Sequence, residues 1–251
     1  MKKIDLNCDM GELKAGQARN YDSEIMPYIS SCNIACGFHS GTPLLMSQTI
    51  QTAIEHRVKI GAHPSYNDRA NFGRLSVKVE RAVLLADLCY QISALKGMVE
   101  RFGERLHHVK AHGALYNDMV KDDQLAADFV LLVKSIDPEL KILALAHTNV
   151  IDYCKKYGLQ SIQEGFADRK YQHPTQLRSR QLDGAVLHEK AAVLAQIQDF
   201  LIGKVRIFDG TTFPIQVDSI CLHSDTLGAV ELSKSIYKYL KAQDVEISAM
   251  G

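Results

Sequence analysis

An excess of charge of one sign is what this chain most plainly lacks. Its 251 residues carry 29 basic and 29 acidic side chains, for a formal net charge of zero. No basic run is longer than three residues, so the electrostatic footprint of a nucleic-acid binder is absent. No stretch approaches 18 uninterrupted apolar residues, and no membrane span is expected. The start, "MKKIDLNCDMGE", meets Asp5 after a single apolar residue and does not make the apolar core of a signal peptide, so a cytoplasmic location is expected. The six cysteines (8, 32, 36, 89, 154 and 221) are scattered, which excludes a disulfide framework. Neither GxxxxGK[ST] nor GxGxxG occurs, so a nucleotide would not be held here by either familiar phosphate loop. Sequence repeats and low-complexity linkers are also missing, which points to one domain over 1–251.

What is present is an alternation. Short β-rich runs lie at 3–8, 31–36, 58–63, 107–112, 141–147, 159–166 and 219–224. Amphipathic segments separate them at 44–57, 79–102, 121–136, 149–157, 188–202 and 226–242. In 79–102, apolar residues at 84, 85, 88, 92, 95, 98 and 99 follow the helical period. Strands alternating with helices predict parallel βαβ units. Seven of them predict a closed or nearly closed barrel, with a doubly wound open sheet as the alternative. The segment 204–217, with two short β runs flanking Asp209-Gly210, reads as a hairpin inserted before the last strand.

In a parallel barrel the active site forms at the C-terminal ends of the strands. Nearly every predicted strand here ends on groups able to do chemistry: Asn7 and Asp9; Cys36 and His39; His63; Lys110 and His112; His147; Glu164, Asp168 and Arg169; His223 and Asp225. One such residue is an ordinary polar cap. Six or seven together indicate an enzyme. The spacing Cys32-x3-Cys36-x2-His39 resembles a zinc motif, but residues i and i+4 of a strand lie roughly 13 Å apart at about 3.3 Å per residue, too far to share one ion. The same geometry argues against His108 with His112. No residue is therefore assigned to a metal, although Asp9, His39, His63, His112 and His223 could still meet as ligands across the mouth. Lys110 and His112 share the strand face opposite Val109 and Ala111. Burial there either lowers the Lys110 pKa toward base chemistry or forces an ion pair with Asp5, Asp9 or Glu164. Arg169, Arg178 and Arg180 suit a substrate carboxylate or phosphate.

The blocks "IDLNCDMGE" (4–12), "SSCNIACGFHSGTP" (30–43), "IGAHPSYND" (60–68), "FGR" (72–74), "VKAHGALYN" (109–117), "EGFADRKY" (164–171), "DGAV" (183–186) and "CLHSD" (221–225) together resemble the LamB/YcsF family, whose members serve as the A-subunit of bacterial ATP-dependent 5-oxoprolinase. The resemblance spans essentially the whole chain. It implies a seven-stranded β/α (TIM-like) barrel of the glycoside hydrolase/deacetylase type. It also implies opening of the lactam of 5-oxo-L-proline to L-glutamate, with ATP as co-substrate and with partner 5-oxoprolinase subunits B and C. On that reading Asp9 is the general base, and Lys110 and His112 stabilise the oxyanion or protonate the leaving nitrogen. Asn7, His39, His63, Asn117, Glu164, Arg169, Arg180, His223 and Asp225 surround the substrate. Lys110→Ala is expected to abolish turnover without affecting folding. The family usually carries Asp at the position of Thr42, Pro at Ala111, Gly at Ser224 and Asn71, and Arg at Leu75; the missing carboxylate at 42 is expected to bear on the substrate. The alternatives are a metal-dependent amide or carbohydrate deacetylase, and a regulatory subunit that has drifted from catalysis.

Overall fold

Alternation along the first strand sets the plan of the barrel. The computed structural model describes residues 2–13, 20–180, 182–224 and 228–251. In β1 (Lys2–Met10), Ile4, Leu6, Cys8 and Met10 join the apolar core, while Asp5, Asn7 and Asp9 make hydrogen bonds across the barrel. A strand places successive side chains on opposite faces, so this period-two pattern gives one apolar and one polar wall. The barrel is completed by β2 (Ser31–Ala35), β3 (Lys59–His63), β4 (His108–Val109), β5 (Lys141–Leu145), β6 (Ser161–Phe166) and, later in the chain, β11 (Ser219–His223). All neighbours are parallel, in the order β11-β6-β5-β4-β3-β2-β1, and β1 pairs with β11 to close the ring. Closure removes the open-sheet alternative.

Helices Pro43–Glu55, Arg81–Glu100, Asp123–Ile136, Asn149–Tyr157, Lys190–Leu201 and Ala229–Ala242 occupy the predicted positions, the last beginning three residues later than expected. Among the described residues, Arg81–Glu100 is the one helix long and apolar enough to cross a membrane. Its Leu84, Leu88, Ile92, Leu95 and Val99 instead join the common core, forming one stripe at helical spacing.

Four features depart from the sequence expectation. The fourth strand keeps its ladder only at His108–Val109, although Lys110 and His112 still donate backbone N–H bonds to Ala62 and Pro64. A helix not among the predicted amphipathic segments, Gly113–Met119, starts directly at the strand end after His112. The arginine-bearing segment after β6 contains a small antiparallel pair, β7 (Tyr171–His173) and β8 (Gln176–Leu177). Finally, β12 (Val245–Ile247) adds to the first residues of β1, at the end of the barrel away from the strand C-termini. Within 204–217, β9 (Lys204–Arg206) and β10 (Thr212–Pro214) pair antiparallel.

Candidate active site

A ladder of polar side chains climbs the barrel interior. At its base, Asp5 accepts hydrogen bonds from Ser30, Ser31 and Ser219. Above it, Asn7 donates to Glu164 at 3.0 Å and to Ser219 at 2.8 Å. Asn33 donates to Asn7 (2.9 Å) and Asp9 (2.8 Å) and accepts from His108 Nε2 at 2.7 Å. Lys110 Nζ caps the ladder, 2.8 Å from Glu164 and 3.1 Å from Asp9, and also touches Asn7 and Cys221. Nearly every buried polar group here has a partner, which is the condition for carrying charge inside a barrel.

The charges fix one another. Burial opposes ionisation of Asp9, but His63 and Lys110 more than offset it and hold the carboxyl well below its usual range. Burial likewise opposes a charge on Lys110, and Asp9 and Glu164 reverse this and raise its pKa well above normal. Lys110 is therefore a firm cation rather than a base, and the ion-pair alternative describes its surroundings. The Cys221 thiol is pushed well up by burial and stays protonated. Burial also pushes the Cys36 thiol up to about 12, and Cys32 is raised further, so neither offers a thiolate.

Beside Asp9, three histidines and Glu12 pack together. His63 stands 3.3 Å from Asp9, which outweighs burial and raises its pKa. His39 donates to Glu12 across 2.9 Å and stacks on His112 at a centroid distance of 3.7 Å. Burial holds both of these imidazoles neutral, with pKa values well below normal. The one N–H of neutral His112 is Nε2–H, which points to the Phe72 carbonyl at 2.8 Å. The ring thus presents an acceptor to the cavity, which removes it from the proton-donor role the sequence suggests. Loop 68–74 makes this possible. Phe72 and Gly73 both take positive φ (56° and 63°), aiming the Phe72 carbonyl inward, and a Cβ on Gly73 would lie 2.9 Å from His112 Cδ2.

These groups open onto a cavity of about 370 Å³. Asp9, Glu12, His63, Lys110 and His112 line it, together with Arg74, Arg169, Arg180, Asn117, Tyr116 and His223. His223 Nδ1 is anchored by both Asp168 oxygens at 2.9 Å, and that contact, against burial, keeps Asp168 below its usual pKa. Arg169 is buried and tied to the Arg178 carbonyl at 2.7 Å, and burial lowers its pKa to about 10. Of the residues expected around the substrate, His63, Asn117, Arg169, Arg180 and His223 reach the cavity wall. Asn7, His39 and Glu164 sit behind it, where they hold Lys110 and Glu12. Asp225 lies outside the described residues. His147 turns away, at φ 61°, and accepts from the Gln216 backbone.

Glu12, Asn33, Phe72 and Arg74 are site residues that the sequence reading did not single out. Glu12 ends the motif "NCDMGE", and Gly11, at φ 68°, supplies the turn that brings it back over the mouth. Two groups hold atoms within 4.8 Å of one another in a manner suited to a cation: Glu12, His39, His63 and His112; and Asp9, Cys221 and His223. Two members of the second group, Asp9 and Cys221, already contact the Lys110 ammonium.

Residues 4–251 match the LamB/YcsF family. The chain belongs to that family. The 5-oxoprolinase A-subunit of Acinetobacter baumannii (strain ACICU) is 44% identical over 245 residues, covering 97% of this chain and 96% of that protein. The crystal structure of the lactam utilization protein of Thermus thermophilus superimposes with a TM-score of 0.91 at 35% identity, covering 99% of this chain and all of that one. A peptidoglycan deacetylase of Bacillus subtilis, at 12% identity and a TM-score of 0.51 over 98% of this chain and 87% of its own, shares the fold alone. This LamB/YcsF chain is thus a seven-stranded β/α barrel of the type shared with such deacetylases.

Proposed function

We propose that this chain is the A-subunit of an ATP-dependent 5-oxoprolinase and opens the lactam of 5-oxo-L-proline to L-glutamate. The observation that carries the reading is the pairing of an ionised Asp9 with a charged Lys110 on the wall of a cavity that also bears Arg169 and Arg180. The name of the Acinetobacter relative supports the same activity. In this scheme Arg180 and Arg169 hold the substrate carboxylate. Asp9 takes a proton from water, and the oxygen adds to the lactam carbonyl carbon. Lys110 faces the oxyanion that forms, a charge it is placed to stabilise without rearrangement. The C–N bond then breaks, and the proton that Asp9 took passes to the nitrogen, leaving an amine, a new carboxylate and Asp9 ionised again. ATP supplies the drive, and the nucleotide belongs with subunits B and C, consistent with the missing phosphate loops. The reaction is cytoplasmic on this reading.

The test is reconstitution. With subunits B and C present, 5-oxoproline should yield glutamate in step with ATP hydrolysis. Omitting this chain should stop glutamate formation. Equal glutamate output with and without the chain would refute the assignment and favour a non-catalytic role.

A further inference from the structure

Lactam opening as written gives no part to Glu12, His63 and His112, which stand together on the cavity wall. Their hydrogen bonds determine what they present. His63 Nδ1 lies 2.7 Å from the Lys110 carbonyl, and His112 Nε2 lies 2.8 Å from the Phe72 carbonyl. A carbonyl only accepts, so both of these nitrogens carry the proton. The other two nitrogens, His63 Nε2 and His112 Nδ1, face each other across 2.9 Å, and His63 Nε2 also lies 3.3 Å from Asp9, whose charge favours a proton or a metal ion at that nitrogen. Glu12 Oε1 faces the same point, 3.4 Å from His112 Nδ1 and 4.0 Å from His63 Nε2. Three atoms of the kinds that ligate metals meet at one spot beside Asp9, and either a proton on His63 or a metal ion between them satisfies the arrangement.

Size and surroundings select the cation. Donors on a tetrahedral ion with bonds of about 2.0–2.2 Å lie roughly 3.3 Å apart, and the edges of this triangle, 2.9, 3.4 and 4.0 Å, bracket that value. Both imidazoles have their far nitrogen fixed by a backbone carbonyl, which is how metal-binding histidines are oriented. His39 plays the matching part for Glu12, donating Nε2–H to Oε1 from behind the wall. The three donors line the cavity and His39 does not, so a fourth position opens toward the substrate space. Two imidazoles, one carboxylate and an open position make a donor set suited to zinc. We propose that Glu12, His63 and His112 form a site for one divalent zinc-like ion, with His39 as the positioning residue for Glu12. An ion there would supply Lewis acidity beside Asp9. The site rests on the geometry of these side chains and does not depend on the identity of the substrate.

The experiment is metal binding by the full chain, stripped with chelator and titrated with zinc in a calorimeter, with bound metal counted by elemental analysis. The expected result is one equivalent per chain. Cobalt in place of zinc should give the intense visible absorption of a four- or five-coordinate ion. Loss of an orienting partner alone weakens metal sites about 10–100-fold, so His112→Gln and Glu12→Gln should each weaken zinc binding by at least about 100-fold. His56→Gln, on the exposed end of helix Pro43–Glu55, should bind like the wild type. Zinc should also raise the melting temperature of the wild type but not of His112→Gln, and melting curves report whether each variant is folded. If the wild type takes up no stoichiometric zinc, or cobalt keeps the pale spectrum of the hydrated ion, a shared proton occupies the triangle and the proposal fails. Because the readout is binding, its failure leaves the lactam activity to be judged by reconstitution alone.

Discussion

Lys110 is the residue on which the interior turns. Its sequence context leaves two fates open, a base with a lowered pKa or a member of an ion pair, and periodicity alone does not choose between them. Asp9 and Glu164, at 3.1 and 2.8 Å, decide for the cation. This also changes the expected mutant. Removing the ammonium strands two buried carboxylates, and breaking a buried pair in this way costs about 3–5 kcal/mol. Lys110→Met should therefore lower the unfolding free energy by about that amount in denaturant titrations, instead of leaving folding intact. A change below about 1 kcal/mol would mean that the two acids find other compensation. Thr42 is a second residue whose meaning shifts. Its side chain accepts from the Leu45 N–H at 3.2 Å and so caps helix Pro43–Glu55, and it does not line the cavity. Asp and Thr both serve as N-caps, so the departure from the family pattern is a change of cap rather than a lost catalytic acid. His108 yields a pH prediction. Burial, then the neighbouring His107, holds its pKa well below normal. The folded chain thus refuses a proton that the unfolded chain accepts below pH about 6.5, and stability falls as pH drops. His108→Gln keeps a donor for Asn33 and loses that penalty. Between pH 6.5 and 5 the wild type should lose up to about 1.4 kcal/mol per pH unit relative to the variant, measured by denaturant melts at each pH. Parallel curves would show that His108 is not held neutral.

At the scale of elements, legibility followed the length of the pattern. Each of the seven barrel strands carries a β-rich run, and the long helices carry enough turns for a 3.6-residue period to show. The helix Gly113–Met119, with seven residues, and the pair Tyr171–His173 and Gln176–Leu177 are too short for either period to register. Their place is set by contacts distant in sequence. Gly113 packs so closely on loop 68–74 that a Cβ would lie 2.4 Å from the Gly73 oxygen, and Ala114 donates its N–H to that same oxygen. Gly61 in β3 has a comparable constraint, because a Cβ there would fall 2.2 Å from His108 Nε2. Overpacking of a filled interior costs about 1–3 kcal/mol. Gly61→Ala should destabilise the chain by at least about that much, since a buried ring and not a flexible tail stands in the way. Thermal melts of Gly61→Ala against Gly97→Ala, where a Cβ meets nothing within 4 Å, separate the clash from the general effect of replacing glycine. Equal melting temperatures for the two variants would contradict the packing described.

For the whole molecule, closure of the sheet converts positions scattered from Asp9 to His223 into one site. Asp9, His63, Lys110 and His223 were legible as chemistry at strand ends, because a parallel barrel gathers its strand C-termini on one face. What the sequence did not disclose is depth. Asn7 and Glu164 resemble strand-end ligands, yet they lie below the cavity wall and hold Lys110 in place. Glu12 was hidden because its approach depends on a glycine turn outside the strand. The central claim is that this mouth opens a lactam with Asp9 as the base. General-base catalysis contributes about 10²–10⁴-fold. The most direct test is glutamate formation from 5-oxoproline by the complex reconstituted with subunits B and C and carrying Asp9→Asn, with a melting curve to show that the variant is folded. The predicted rate is at least about 100-fold below that of the wild type. A folded Asp9→Asn chain that forms glutamate at the wild-type rate would contradict the claim.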